Sequence, residues 1–277
     1  MKRTGAHIIW SCLVEQGVDT VFGYPGGAIL PAYDALLDHP IRHVLVRHEQ
    51  GAVHMADGYA RASGRVGVAV ATSGPGATNM VTGIATAMMD SIPLVCITGQ
   101  VPAFLLGSDA FQETDITGIT MPITKHNYMV TRAADIAPTL REAFRLAQSG
   151  RPGPVLVDIT KNAQQEETEW IPQALANVKP PAHRKEGDAL QRAADLLAQA
   201  RRPVILAGHG ILKSGAMKEV LELAERAHIP VAMTLLGLGS VPHDHPLNLG
   251  MMGMHGEAWV NNAIQEADLL LALGMRF

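Results

Sequence analysis

The stretch HVLVRHEQGAVHMADGYARASGRVGVAVAT, residues 43–72, alternates between strand-like and helix-like patterns. Three apolar residues at 44–46 resemble a strand, a run rich in small residues follows over about 50–62 with helical spacing, and VGVAVAT resembles a strand again. Glu49 stands where the first strand pattern gives way to the helix pattern. Alternation at this interval predicts parallel βαβ units whose strands are buried on both faces.

The same alternation continues in both directions through the first 160 residues. It predicts helices over 4–16, 28–37 and 136–147 and after SGPG, with strands at 20–22, PLVCITG and GPVLVDI. We therefore expect an α/β fold, with a flavodoxin-like parallel-sheet domain over residues 1–161 and helices on both faces of its sheet.

A second α/β unit follows a segment without clean periodicity. Residues 162–186 include Pro172, Pro180 and Pro181 and are predicted to form a linker. Residues 187–277 predict helices over 187–200, 214–227 and 257–267, and strands at PVILAG, PVAMT and LLLALG. Three strands make an incomplete Rossmann-like sheet, so this second domain is expected to be truncated.

Composition excludes several classes of protein. Of the 277 residues 47% are hydrophobic and 17% charged, which excludes a disordered chain. A net charge of -4 argues against nucleic-acid binding, and two cysteines are too few for a disulfide framework. The sequence contains neither an apolar run of 18 residues nor a leader-like start, so we expect a cytoplasmic protein that does not bind membranes.

Glu49 is the first candidate functional residue. The carboxyl ends of strands in an open parallel sheet are where such folds bind ligands. A buried, ionised carboxylate costs several kcal/mol unless a hydrogen-bond donor faces it. That donor could belong to a ligand, or Glu49 could form a salt bridge with Arg47, Arg61 or His48, and the pattern alone leaves both open.

Two glycine-rich loops follow strand patterns and precede helix patterns. Pro25-Gly26-Gly27 and the SGPG loop at 73–76 permit close backbone approach to a flat ligand, or are ordinary tight turns. Neither fits GxxxxGK[ST] or GxGxxG, so a nucleotide-phosphate site is not supported. The polar segment SDAFQETDITG is either a substrate-lining loop or a solvated loop. PHDHP, around His243 and His245, lacks a complete ligand set, which favours a polar turn over a metal site.

Taken in order, VFGYPGGAILPAYDAL, RHEQGAVHMADGYARASG, ATSGPGATNMVTGIATA, GSDAFQETDI, SGRPGPVLVDI and LGMMGMHGEAWVN resemble the large catalytic subunit of acetolactate synthase, a thiamine-diphosphate enzyme. The resemblance implies a complete pyrimidine-binding domain and the first part of a central FAD-associated domain. It also implies that the third domain of the family, which holds Mg²⁺ and the diphosphate, is missing, so we expect no metal site here and an inactive fragment or one piece of a split gene.

The resemblance assigns roles at individual positions. Glu49 matches the glutamate that hydrogen-bonds the aminopyrimidine ring and favours its imino tautomer, and Gly27 matches a backbone amide near the reacting carbonyl. Further thiamine-diphosphate contacts are implied at Tyr24, Pro25, Thr72, Pro75, Gly76, Asn79 and Gln112. Gln112 and Lys161 are also implied in catalysis, beside a substrate channel at Pro102, Ala110 and Phe111. FAD contacts are implied at Arg151, Gly208, Gly210, His255 and Arg276.

The activity implied is decarboxylation of pyruvate and ligation to a second 2-oxo acid, pyruvate or 2-oxobutyrate. The product is 2-acetolactate or 2-aceto-2-hydroxybutyrate, in branched-chain amino-acid biosynthesis. A homodimer or homotetramer is implied, and a small regulatory subunit is compatible with the resemblance. Two alternatives stay open: another thiamine-diphosphate decarboxylase or oxidase on the same fold, and a folded fragment without activity.

Overall fold

A computed structural model describes residues 1–173 and 187–277. The chain divides into two compact units, Met1–Pro181 and Ala182–Phe277, each described by itself below. Part of the predicted linker, including Pro180 and Pro181, lies outside the described residues. In the described ranges, no helix combines the length and apolar character needed to cross a bilayer.

The first unit is built on a six-stranded sheet in which all neighbouring strands are parallel, as predicted. The order of its strands is β3-β2-β4-β5-β7-β6, and β1 pairs separately with β8 in the antiparallel sense. The strands are β1 Lys2–Thr4, β2 Thr20–Gly23, β3 Arg42–Leu45, β4 Gly67–Ala71, β5 Leu94–Gln100, β6 His126–Val130, β7 Pro154–Thr160 and β8 Glu167–Glu169.

Helices cover both faces of this sheet, which confirms the predicted fold class. One apolar core includes residues of α1, α2 and α7, and the other includes residues of α3 and α5. Strands β4, β5 and β7 are buried along their whole length because each lies between the two cores. The helices are α1 Gly5–Glu15, α2 Leu30–Leu36, α3 Glu49–Ser63, α4 Pro75–Asn79, α5 Val81–Asp90, α6 Ile116–Thr120, α7 Ala133–Gln148 and α8 Lys161–Gln165.

The order of the strands creates a switch point between β2 and β4. From β2 the chain passes to β3 on one side, and β4 then pairs with the other side of β2. Ligands of open α/β sheets bind at the carboxyl ends of strands beside such a point. Both glycine-rich loops of the first unit, after β2 and after β4, begin there.

Several short elements of the first unit were not predicted. Residues 162–170, assigned to the linker, instead continue this unit: α8 follows β7 directly, β8 pairs with β1, and Trp170 is buried. Strand β6 was also not predicted, because its sequence, HNYMV, begins with two polar residues and only its last residue is buried. A strand of three residues, such as β8, has too few positions to show a period.

The second unit has a parallel sheet of four strands in the order β11-β10-β9-β12, rather than the three predicted. The missed strand, β11, is half-buried and carries Gly250 at a φ of +103°. The predicted 214–227 helix begins only at Met217, because Gly215, at a φ of +70°, ends a separate helix over His209–Ser214 that was not predicted. The elements are β9 Pro203–Ala207, β10 Val231–Met233, β11 Asn248–Met251, β12 Leu269–Leu273, α9 Gly187–Gln199, α10 His209–Ser214, α11 Met217–Ala227 and α12 Ala258–Glu266.

Candidate functional site

Glu49 is the first residue of α3 rather than the last of the preceding strand, since β3 ends at Leu45. His48 precedes the helix in an extended conformation, and its Nδ1 accepts a hydrogen bond of 3.2 Å from the backbone N–H of Gln50. A carboxylate in the first helical turn is stabilised by the helix dipole. This placement buries Glu49 to 9% exposure beside the switch point.

The partner of Glu49 is Asn79, at the end of α4. Its Nδ2 donates to Oε2 of Glu49 at 2.9 Å. Within the described residues Glu49 makes no ion pair within 4.0 Å, and Arg61 bonds instead to Asp57 and Asp90. The structure therefore contradicts the alternative of a salt bridge from Glu49 to Arg47, Arg61 or His48.

The other carboxylate oxygen of Glu49 lies against a glycine. A Cβ on Gly76 would stand 3.3 Å from Oε1 of Glu49 and 2.8 Å from Cγ2 of Thr72. The absence of a side chain at Gly76 thus leaves space around this oxygen. The charge of Glu49 also reaches Tyr33: burial first, and then the carboxylate, raise the pKa of the Tyr33 hydroxyl.

The loop that follows β2 is fixed at Ala28 from two sides. The backbone N–H of Ala28 donates to Oγ1 of Thr72 at 3.2 Å, and the carbonyl of Ala28 accepts from Nε2 of Gln164 at 2.9 Å. Gly26 packs on the same threonine, where a Cβ would meet Cγ2 of Thr72 at 2.5 Å. At Gly27 a Cβ would meet nothing within 4 Å, so the backbone there faces open space.

Tyr24 and Pro25 lie in this loop between the switch point and solvent. Tyr24 is 42% exposed, although its backbone N–H donates to the carbonyl of Val70 in β4 at 3.2 Å. Pro25 is half-buried. The structure therefore brings Tyr24, Pro25 and Gly27 to the same sheet edge as Glu49.

Gln112 packs its backbone on the loop that follows β4. Gly74 has a φ of +54°, and a Cβ there would stand 2.6 Å from the carbonyl oxygen of Gln112. Gln112 itself has a φ of +59°, a conformation that few non-glycine residues adopt. Pro75 follows Gly74 as the first residue of α4. Gln112, Pro75, Gly76 and Thr72 thus lie around one loop.

The segment that carries Gln112 is an ordered loop stabilised by Glu113. The carboxylate of Glu113 accepts hydrogen bonds from the backbone N–H groups of Gly107 and Ala110, and these bonds lower the pKa of Glu113. Ala110 is half-buried, whereas Phe111 is 87% exposed. A ring with this exposure adds little to the packing of the core.

A hydrogen bond between their sequence neighbours connects the segments that carry Lys161 and Pro102. Lys161 opens α8, and Oδ1 of the next residue, Asn162, accepts from the backbone N–H of Ala103 at 2.8 Å. The amide of Asn162 donates to the carbonyl of Thr131 at 3.0 Å, a bond that an aspartate could not form. The start of the 101–114 loop is therefore tied to the turn that carries Lys161.

Arg151 does not join this group of residues. It precedes β7, at the amino edge of the sheet, whereas Glu49 and the glycine-rich loops lie at the carboxyl edge. Its guanidinium donates to Oγ of Ser91 at 2.7 Å and to the carbonyl of Met88 at 2.7 Å. Within the first unit, Arg151, an implied FAD contact, is thus separated by the length of the strands from Glu49, an implied thiamine-diphosphate contact.

In the second unit, Gly208 and Gly210 pack against the chain that follows β12. The N–H of Gly210 donates to the carbonyl of Gly274 at 2.8 Å, and a Cβ on Gly208 would stand 2.4 Å from that same oxygen. This contact lies at the switch point of the second sheet, where β9 separates β10 from β12. Arg276 follows β12 and His255 follows β11, on the two outer strands, and both are exposed.

The remaining polar motifs form ordinary contacts. Asp115 caps α6 by accepting from the N–H of Gly118 at 2.9 Å. His245 lies 3.2 Å from Glu225, and no group of three His, Cys, Asp or Glu suited to a metal ion occurs in the residues that the structure describes. The interpretation of PHDHP as a polar turn agrees with these contacts.

Two polar residues of this region were missed by sequence reasoning. Gln164 and Asp158 are both fully buried, and each has partners far away in sequence. Asp158 carried a weak signal, a single acidic residue within the apolar strand pattern PVLVDI. Gln164 lies in a segment that was predicted to be a linker, and no sequence signal marked it.

Comparison with known proteins identifies the two units. A family described as "Thiamine pyrophosphate enzyme, N-terminal TPP binding domain" matches residues 3–119, and "Thiamine pyrophosphate enzyme, central domain" matches residues 190–277. The chain is 53% identical over 278 residues to a probable acetolactate synthase large subunit of Methanocaldococcus jannaschii, covering 99% of this chain and 47% of that protein.

Two further relatives give the same result. The acetolactate synthase large subunit of Corynebacterium glutamicum is 52% identical across 100% of the chain and 45% of its own length. Acetolactate synthase isozyme 1 large subunit of Escherichia coli is 52% identical across 100% of the chain and 49% of its own length. The chain thus spans about half the length of the curated relatives it matches. It belongs to the thiamine pyrophosphate enzymes, as a homologue of acetolactate synthase large subunits that carries the N-terminal and central domains.

Proposed function

We propose that this chain supplies the pyrimidine-binding half of a thiamine-diphosphate site in an acetolactate synthase. One observation carries the proposal: in a chain about half identical to acetolactate synthase large subunits, Glu49 is buried at the switch point and fixed by Asn79. The proposed activity belongs to a polypeptide or complex that also contains the remaining half of the relatives' length, and we place it in the cytoplasm.

The residues at the switch point fit an aminopyrimidine ring. Asn79 occupies Oε2 of Glu49, and the side chain missing at Gly76 leaves room beside Oε1. A carboxyl oxygen in that position can share a proton with a ring nitrogen. Tyr24, Pro25, Thr72 and Pro75 surround the same edge and supply the flat, mainly apolar walls that such a ring needs.

When bound, thiamine diphosphate supplies the carbon nucleophile that permits decarboxylation of a 2-oxo acid. The protein groups then bind, orient and exchange protons. Glu49 holds the proton shared with the ring, and Asn79 keeps its carboxylate in place. Gly27, where a Cβ would meet nothing within 4 Å, would donate its N–H to the substrate carbonyl, while Gln112 and Lys161, with Pro102, Ala110 and Phe111, would bind the substrate carboxylate and its side chain.

FAD is proposed for the second unit on separate grounds. Gly208 and Gly210 bring backbone close to Gly274 at the switch point of the second sheet, the place where Rossmann-like folds bind dinucleotides. Arg276 and His255 are exposed at the same edge, and Arg151 is a further proposed contact. We assign the Mg²⁺ and diphosphate contacts to the part of the relatives that this chain does not span.

Pyruvate and 2-oxobutyrate are the proposed substrates, with 2-acetolactate and 2-aceto-2-hydroxybutyrate as products. A homodimer or homotetramer is proposed, and the "large subunit" in the names of the relatives supports a small regulatory partner. Another thiamine-diphosphate decarboxylase or oxidase is the nearest alternative, since the matching families are shared by such enzymes.

An assay of the complete enzyme tests the proposal. Pyruvate is supplied with thiamine diphosphate, Mg²⁺ and FAD, and acetolactate, acetaldehyde and hydrogen peroxide are measured together. We expect acetolactate as the main product. Acetaldehyde or peroxide as the main product would show the alternative activity, and no turnover from any of these reactions would contradict the enzyme assignment.

The 277-residue chain alone is expected to be inactive, but the pyrimidine site can be probed in it directly. The probe is 4-amino-5-hydroxymethyl-2-methylpyrimidine, which is the ring portion of the cofactor, titrated by NMR. We expect chemical-shift changes at residues around Glu49 that are lost in Glu49→Gln and retained in Asp38→Asn, an exposed carboxyl elsewhere. Equal shifts in both variants would contradict the site.

A further inference from the structure

A buried carboxyl group lies beneath the loop that carries Gln112. Asp158, in β7, is 0% exposed, and its two oxygens accept from Oγ1 of Thr98 at 2.7 Å and from Nε2 of Gln100 at 2.9 Å. Both partners lie on the neighbouring strand β5, with Thr98 directly opposite Asp158 in the register. Nothing in the proposed reaction uses this group.

Gln100 connects the buried carboxyl to both ends of the 101–114 loop. Its Oε1 accepts from the backbone N–H of Val101 at 2.8 Å, at the start of the loop. Its Nε2 donates to the carbonyl of Thr114 at 2.9 Å, at the end of the loop, and also to Oδ2 of Asp158. One side chain therefore closes the loop, and Asp158 fixes the orientation of that side chain.

The loop in turn contacts the candidate site. The backbone of Gln112 packs on Gly74 so closely that a Cβ would have no room, and Gly74 belongs to the turn that carries Pro75 and Gly76. A change in the loop's closure must therefore move either Gln112 or this turn. Interiors are packed too densely for the contact to absorb a shift.

We infer that Asp158 is a positioning residue: through Gln100 it holds the 101–114 loop closed and so seats Gln112 against the Gly74 turn. An effect of Asp158 on a bound pyrimidine rests on the proposed function, whereas its effect on the closure of the loop is independent of that function. The structure offers a test in the 277-residue chain without any cofactor.

The test is hydrogen exchange measured by mass spectrometry. Amides at Leu105, Ser108 and Glu113 are protected by bonds within the loop, to the carbonyls of Pro102, Leu105 and Ala110. In Gln100→Met, which keeps the length of the side chain but removes both loop bonds, we expect exchange of these amides to rise at least tenfold. In Asp158→Ala we expect an increase of the same kind.

Two control variants separate positioning from simple loss of stability. Thr98→Val removes the other partner of Asp158 without touching the loop, and should leave exchange in the loop within twofold of wild type. Asp158→Asn is expected to restore closure, because its oxygen can accept from Gln100 while its amide donates to Thr98. If Asp158→Ala does not fold, Gln100→Met still tests whether the side chain of Gln100 holds the loop closed.

Two results would overturn the inference. One is loop exchange that stays within twofold of wild type in Gln100→Met. The other is a rise by one common factor in the loop and in strands β5 and β7 of both variants, which would make Asp158 an ordinary core residue. A loop that opens as expected while the chain fails to bind the pyrimidine probe would support the inference and count against the proposed function.

Discussion

Asn79 Nδ2 donates a 2.9 Å hydrogen bond to Oε2 of Glu49, joining the end of α4 to the start of α3. Both residues lie on helices that begin at the carboxyl edge of the sheet. The bond therefore orients a carboxylate that would otherwise be buried without a donor. We expect it to contribute to stability as well as to the proposed site.

Replacing the donor tests this contribution. In Asn79→Leu the carboxylate loses its partner in a site of little exposure, so we expect the free energy of unfolding to fall by about 2 kcal/mol. Urea denaturation of the 277-residue chain measures it. Thr82→Val, at an exposed neighbouring position, is the control, and an equal loss in the two variants would contradict a specific role for the Asn79 bond.

Glu49→Gln separates the proposed chemistry from stability. The amide keeps the shape of the side chain and can still accept from Asn79, but it holds no exchangeable carboxyl proton. In the complete enzyme we expect kcat to fall by about 100-fold or more, in the range of a lost acid–base group, with unfolding little changed. Turnover near that of the wild type would exclude the assigned role.

Pattern reasoning placed Glu49 at an element boundary but assigned it to the wrong element. The apolar residues Val44 to Val46 define the strand in sequence, yet hydrogen bonding ends β3 at Leu45 and His48 caps the helix. The pattern could not identify the partner of Glu49. Asn79 contacts Glu49 only because strands β2, β3 and β4 lie in the observed order in the sheet. The resemblance named both residues, though only as contacts of a cofactor.

The buried polar groups of the first unit show why the strand pairings and polar contacts could not be predicted from the sequence. Asp158 meets Thr98 and Gln100 because β5 and β7 are neighbours, although β6 lies between them in the chain. Sequence periodicity gives the existence of strands and says nothing of which ones pair. The long buried strands were therefore predicted, whereas the strand pairings, the edge strand β6 and the polar contacts depend on how the elements are arranged in the folded chain.

Gly74→Ala tests the contact between the two site loops. The new Cβ meets both a positive φ and the backbone of Gln112, so we expect a loss of about 3 kcal/mol or more in unfolding free energy. Gly64→Ala is the control for a positive φ without a close contact, since Gly64 has a φ of +71° in the left-handed helical region but open space around its Cβ. Strain alone should cost about 1 kcal/mol there. Equal losses, measured by urea denaturation, would show that the contact with Gln112 is not close.

The buried carboxyl of Asp158 predicts how stability depends on pH. Burial raises the pKa of Asp158 from 3.8 to about 7, so the folded chain retains a proton that the unfolded chain releases at lower pH. The stabilisation linked to this proton is complete below about pH 4 and is lost as the pH rises to about 7. In this window the folded state binds more protons, and stability falls by up to about 1.4 kcal/mol per pH unit.

Asp158→Asn isolates this effect, because its neutral amide replaces the protonated acid at nearly the same size. Other groups titrate in the same range, including His39 and His43, whose pKa values burial lowers, so the informative quantity is the difference between wild type and variant. From urea unfolding at pH 5, 6 and 7, we expect the wild type to lose about 2 kcal/mol relative to Asp158→Asn. Above about pH 8 the difference should become constant, since Asp158 is ionised in both folded and unfolded chains. A difference that does not change between pH 5 and 7 would mean that Asp158 is already ionised in the folded chain at pH 5, with its charge stabilised by Thr98 and Gln100.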